Sequence, residues 1–243
     1  MTVETEQRRR HSDNVLRRMP VAAWRTLPVL LACGAGITGV FVVSGVLIGW
    51  GNPLVPVLTC VVGAPLVLRG VERVHAELFE QERGTVRRSW GMRTLRVGSL
   101  LLPAGLTSAL AMLAGHAALL PGGSLFAAVG VVGVLMAALL AVIAVVAVPL
   151  CVVRPEARIG SIVLVAFYAS VRRPIAAVAV LASAIALSTA AASGLPALAA
   201  LTPSLTIVLA IAAAWTTLGP AGVEVPALQK SARLSASPEP PES

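Results

Sequence analysis

The sequence predicts an all-α polytopic membrane protein: six transmembrane helices in three hairpins, both termini cytoplasmic, with amphipathic cytoplasmic helices. Three observations predict it. The 243 residues are 57% hydrophobic and only 12% charged, whereas a soluble domain carries about 25% charged residues. Six apolar segments have the length needed to cross the hydrocarbon, about 17 to 25 residues each. All 19 Lys and Arg and all 11 Asp and Glu fall in residues 1–27, 69–97, 154–173 and the C-terminal tail. Long charged stretches can share one side of a membrane only if an even number of spans separates them.

The first apolar segment is 27–49, preceded by a basic N-terminal segment, 1–26. Its apolar run is longer than the roughly 7 to 15 residues of a signal h-region, so it is expected as a retained helix. The second is 53–68, short and carrying Pro53, Pro56 and Pro65. The third is 98–120, the fourth 125–153, the fifth 174–193 and the sixth 197–215. Trp50-Gly51-Asn52, Pro121-Gly122-Gly123-Ser124 and Gly194-Leu195-Pro196 supply the tight turns within the hairpins, because Gly and Pro interrupt helices. The cytoplasmic connections are 69–97 and 154–173. By the positive-inside rule they face the cytoplasm, in a bacterial inner (plasma) membrane, with both termini on the same side.

Three parts of the charged stretches have helical spacing. Val71, Val74 and Leu78 predict that the second helix continues beyond its apolar segment. Val86, Trp90 and Val97 share a face opposite most of the arginines, the pattern of an interfacial helix. Ser161 to Val171 is apolar but too short to span, and Arg172-Arg173 closes it. The segment 218–243 is rich in Pro, Ser and Glu and is expected to be a disordered cytoplasmic tail. Trp24, Trp50, Trp90 and Trp215 each stand where an apolar run ends or beside a basic stretch, the depth an indole prefers.

A net charge of +8 could indicate nucleic acid. Here the charge flanks apolar spans, so anionic lipid headgroups are the expected partner and nucleic acid is not. Arg87, Arg88, Trp90, Arg93, Arg96, Arg172 and Arg173 are the candidate residues for lipid or partner contact. Cys33, Cys60 and Cys151 lie inside apolar segments with no CxxC pattern, so neither a metal site nor a disulfide is expected. Gly34 to Gly39 matches GxGxxG, but it lacks the preceding strand that a dinucleotide fingerprint needs. Small residues packing against another helix account for it. Ala35 with Gly39, and Gly45 with Gly49, are small-xxx-small pairs that also allow self-association.

His116 is the ionisable side chain that falls well within an apolar segment. An intramembrane titratable group is a functional candidate by default. It lies five residues before Pro121, however, about 7 Å from the outer end of its helix. Thr202-Pro203-Ser204 marks a kink in the last helix, because Pro203 removes a backbone donor. Glu72, Glu77, Glu80 and Glu82 are matched by nearby arginines, as on a solvated helix face. No paired intramembrane carboxylates, Ser/His/Asp set or HExxH is present. No catalytic, cofactor-binding or metal-ligating residue is therefore assigned, and the expectation is a protein that is not an enzyme.

The order of these features resembles the YesL family of bacterial integral membrane proteins. Ala64-Pro65-Leu66-Val67-Leu68-Arg69-Gly70-Val71-Glu72-Arg73 carries a Pro-containing span into a charged helix. The Arg-rich stretch Val86 to Arg96 around Trp90 leads into the third span. Val148-Pro149-Leu150-Cys151-Val152-Val153-Arg154 precedes Ile162 to Tyr168 and the Arg172-Arg173-Pro174 corner. The resemblance covers roughly residues 28–217. It implies a role accessory to carbohydrate uptake, beside components of a sugar ABC transporter, and it carries over no functional residues. The alternative expectation is a small permease or transporter subunit with a polar path near His116 and the Pro203 kink.

Overall fold

The computed structural model describes residues 3–79, 90–120, 123–193, 196–219 and 223. Among them are seven helices: α1 (Val3–Ile48), α2 (Leu54–Leu78), α3 (Trp90–Ala118), α4 (Ser124–Val153), α5 (Ile159–Arg172), α6 (Pro174–Ala192) and α7 (Pro196–Leu218). Six are long and apolar enough to cross a membrane, and α5 is the short one. The chain is an integral membrane protein of the predicted all-α class.

Two boundaries differ from expectation. The basic N-terminal segment 1–26 is not separate from the first span, because α1 runs unbroken from Val3 to Ile48. Val15, Met19 and Ala22 recur at helical spacing and are buried, so the first helix has an apolar seam well before Leu27. Likewise, the third helix is already formed at Trp90, eight residues before the expected start at 98. From Trp90 onward the stretch expected as an interfacial helix is the first part of α3, and Val97 is buried against the core. The second helix does continue to Leu78, as the spacing of Val71, Val74 and Leu78 predicts. The tail from 224 and residues 80–89 lie outside the described residues.

The α1–α2 turn depends on Gly49, whose φ of +94° favours a residue without Cβ. The Asn52 carboxamide oxygen then accepts from the Leu54 N–H at 3.0 Å, starting α2. Trp50 folds back over α1: a Cβ on Gly45 would meet the indole at 2.5 Å. Gly45 and Gly49 therefore serve this hairpin. Ala35 is exposed, and a Cβ on Gly39 would meet nothing within 4 Å.

Successive helices approach closely at small residues. A Cβ on Gly36 would meet Leu66 of α2 at 2.8 Å. One on Gly105 would meet Cys60 Sγ at 3.0 Å and the Pro56 carbonyl oxygen at 3.2 Å. One on Gly133 would meet the Ala111 Cα at 3.2 Å. Between membrane helices, where lipid is as apolar as the side chains, such close packing provides much of the attraction.

The main core lies toward one end of the bundle. Its buried residues include Val15 to Leu30 of α1, Ala64 to Leu78 of α2, Val97 and Leu100 of α3, Val142 to Val152 of α4 and Ile207 to Leu218 of α7. In every case this is the half of the helix nearest the charged stretches. Near the short connections at the other end, by contrast, Val46, Leu47, Leu119 and Leu125 are all well over half exposed, as lipid-facing side chains are.

Candidate functional site at the charged end

The charged end is built from the C-terminal turns of α2 and α7, the first turns of α3, and the link from α4 to α5. Glu72 and Arg93 face each other across the α2–α3 packing. Arg93 Nη1 donates to Glu72 Oε1 at 2.9 Å, and the two side chains are only 19% and 12% exposed, the arginine being the more buried. One turn further along α3, Arg96 Nη1 donates to the carbonyl oxygens of Pro155 and, at 3.2 Å, Ala157. An arginine is suited to this, since its planar fork can serve several acceptors at once. Arg96 thereby fixes the Arg154–Arg158 link to α3. A more exposed pair, Arg25 with Glu77 at 3.9 Å, joins α1 to α2.

Beside these pairs lies an aromatic cluster. His75 and Trp215 are each 1% exposed. The Trp215 indole Nε1–H donates to His75 Nε2 at 3.2 Å. An indole nitrogen can only donate, so His75 Nε2 must be the unprotonated nitrogen. His75 Nδ1 therefore carries the hydrogen and donates to the Val71 carbonyl oxygen at 2.8 Å. Phe79 closes the cluster, with ring centroids 5.4 Å from Trp215 and 5.5 Å from His75. This assembly ties the end of α2 to the end of α7.

Several sequence candidates are placed differently from expectation. Arg93 and Arg96 are half-buried and bonded within the protein. Trp215 is a core residue and not part of an interfacial belt, whereas Trp24, Trp50 and Trp90 are exposed as such a belt requires. Arg172 and Arg173 are exposed at the end of α5. Arg87 and Arg88 lie outside the described residues.

His116 is exposed in the last turn of α3, beside the Gly51 turn. From Trp90 to His116 the helix rises about 39 Å, and from Trp24 to Ile48 α1 rises about 36 Å. Both exceed the ~30 Å of hydrocarbon and approach the full thickness with headgroups. With Trp90 at one interface, a helix of this length crossing the membrane carries His116 to the opposite one.

The Pro203 region is also remote from His116, because α3 and α7 share no substantial packing. Pro203 cannot donate to the Ala199 carbonyl four residues earlier. Thr38 of α1 takes over that oxygen, donating from Oγ1 at 2.7 Å. Ser204 donates to the Leu30 carbonyl at 2.8 Å, and Thr202 donates to Leu198 of its own helix. The hydroxyls around the kink thus join α1 to α7. Thr59, Thr107, Ser108, Ser183 and Thr189 likewise donate to carbonyls of their own helices.

The His75–Trp215 bond is not foreseen from the sequence. Its one local signal is a histidine in line with Val71, Val74 and Leu78, on a face otherwise apolar. Compared with family models, curated proteins and solved structures, the chain matches none.

Proposed function

We propose that this protein is a non-catalytic component of a bacterial inner membrane that acts through contacts at its charged end, held on the cytoplasmic side with both termini. The observation that carries the reading is the contrast between the two ends. At the charged end, α1, α2, α3, α7 and the α4–α5 link are cross-braced by Arg25–Glu77, Glu72–Arg93, Arg96 and His75–Trp215. At the other end the helices are joined by short connections, and Val46, Leu47, Leu119 and Leu125 near them are exposed. Among the described residues, the charged end is the one that offers a soluble partner a braced polar surface. The confinement of Lys and Arg to that end supports its cytoplasmic placement.

The resemblance to the YesL family supports a more specific role as an accessory to a carbohydrate uptake system. The reading is favoured over a small permease because His116 and the Pro203 kink lie apart and the kink's hydroxyls bond backbone carbonyls. The test combines deletion with partner capture. Deletion is expected to slow uptake of at least one labelled sugar, and the tagged protein, purified in mild detergent, to retain a subunit of the corresponding transporter. Recovery of the protein alone, with uptake of every sugar unchanged, would overturn the accessory role.

A further inference from the structure

Helix α5 has 14 residues, about 21 Å of rise, too short to cross the hydrocarbon. It buries Ile162, Ala166 and Ala169 against the bundle and leaves Leu164, Phe167, Tyr168 and Val171 exposed. Those four form one stripe at helical spacing. Just past the α5–α6 corner, Ile175 and Val178 are also exposed, on a helix long and apolar enough to span the membrane. An apolar face adjoining a lipid-facing span is itself in contact with lipid.

The corner that ends the stripe is cationic. Pro174 disfavours helical backbone at the residue before it, and Arg173 accordingly leaves the helix with φ −141° and ψ 71°. Arg172 folds back one turn, its Nη1 donating to Tyr168 Oη at 3.2 Å and its guanidinium carbon 6.0 Å from the ring centroid. That bond occupies one of five guanidinium donors. Tyr168 Oη accepts it, so the phenolic hydrogen remains to donate. No described carboxylate pairs with Arg172 or Arg173. The one carboxylate within 154–173, Glu156, precedes the opposite end of α5.

We infer that this corner seats an anionic phospholipid. The headgroup phosphate takes the Arg172 and Arg173 guanidiniums and the Tyr168 hydroxyl, and the acyl chains lie along Leu164, Val171 and Ile175. Arginine matches a phosphate because its fork can donate two parallel hydrogen bonds. A zwitterionic lipid offers the same phosphate, but its cationic group is repelled by the two arginines. A soluble anion would leave the apolar stripe uncovered, which favours a lipid as the source of the phosphate. The inference rests on the membrane placement proposed above but not on which side the charged end faces.

The full-length protein, reconstituted in phosphatidylcholine vesicles, is probed with trace spin-labelled phosphatidylglycerol or phosphatidylcholine. Spin resonance then gives the relative affinity of the two lipids for the protein surface. Wild type is expected to prefer phosphatidylglycerol. Arg172→Gln with Arg173→Gln is expected to reduce that preference by about fivefold or more, and Tyr168→Phe by less. Arg17→Gln with Arg69→Gln removes the same charge from exposed positions elsewhere and is expected to leave most of it. An equal loss in both doubles, no loss in the first, or displacement of the lipid by millimolar inorganic phosphate would overturn the inference. The readout is headgroup preference in a symmetrical bilayer. It therefore stands if the transporter role fails, and it can fail while that role stands.

Discussion

Trp215 carries the most specific interaction in the molecule, because its indole hydrogen determines which nitrogen of His75 is protonated. Trp215→Phe keeps most of the ring but leaves His75 Nε2 buried without a donor. A buried polar group without its partner costs about 1–3 kcal/mol, so the variant should melt earlier in detergent. Nitrogen NMR of wild type should show His75 neutral with its hydrogen on Nδ1, and the signature should change in Trp215→Phe. An unchanged melting temperature and histidine spectrum would contradict the bond. The Glu72–Arg93 pair makes a second prediction. Either single neutralisation, Glu72→Gln or Arg93→Gln, leaves a half-buried charge without its partner, and the double variant should recover part of the loss. A double-mutant cycle should give a coupling of about 1–3 kcal/mol, larger than the ~0.2–1 kcal/mol of exposed pairs. Additive losses would show that the two charges do not interact. Neither contact was legible in the sequence. Glu72 looked like part of a solvated face and Arg93 and Trp215 like interfacial residues, and in each case the partner is supplied by another helix whose rotation no local pattern specifies.

Helices were more legible than their contacts. The apolar lengths and the Gly- and Pro-containing turns predict six spans. The Ser161–Val171 run bounded by Arg172-Arg173 predicts α5, because an apolar stretch of that length must lie against something other than water. The helix starts were less legible. The arginines of the N-terminal segment dominate its composition and hide the Val15, Met19 and Ala22 seam that carries α1 back to Val3. In α3 the same masking came from Arg93 and Arg96. The Pro203 kink shows what a single helix can state and what it cannot. The missing donor at Pro203 was readable, but the replacement from Thr38 was not, since it lies on α1. Thr38→Val should destabilise the wild type by about 0.6 kcal/mol and at most about 1.7 kcal/mol, the range measured for hydrogen bonds between membrane helices. In a Pro203→Ala background residue 203 regains its N–H, the Ala199 carbonyl is satisfied within α7, and the same change should cost close to nothing. An equal cost in both backgrounds would mean that Thr38 is not substituting for the lost donor.

At the scale of the whole molecule, the described charged residues, the main core and the cross-bracing lie at the same end. Arg93 and Arg96 turn inward and brace the helices, whereas Arg17, Arg69, Arg172 and Arg173 are among those that stay exposed. At the other end short connections join the helices, and Trp50 and His116 are exposed there. This division is the central claim, and the membrane topology tests it most directly. Reporters inserted after Asn52 and after Gly123, and fused at the C-terminus, distinguish the two ends by periplasmic alkaline phosphatase activity or cytoplasmic green fluorescence. Phosphatase activity at Asn52 and Gly123, with fluorescence at the C-terminus, is the predicted result. Fluorescence at all three positions would contradict the six-span bundle, and phosphatase activity at the C-terminus would place the charged end on the wrong side for the proposed function.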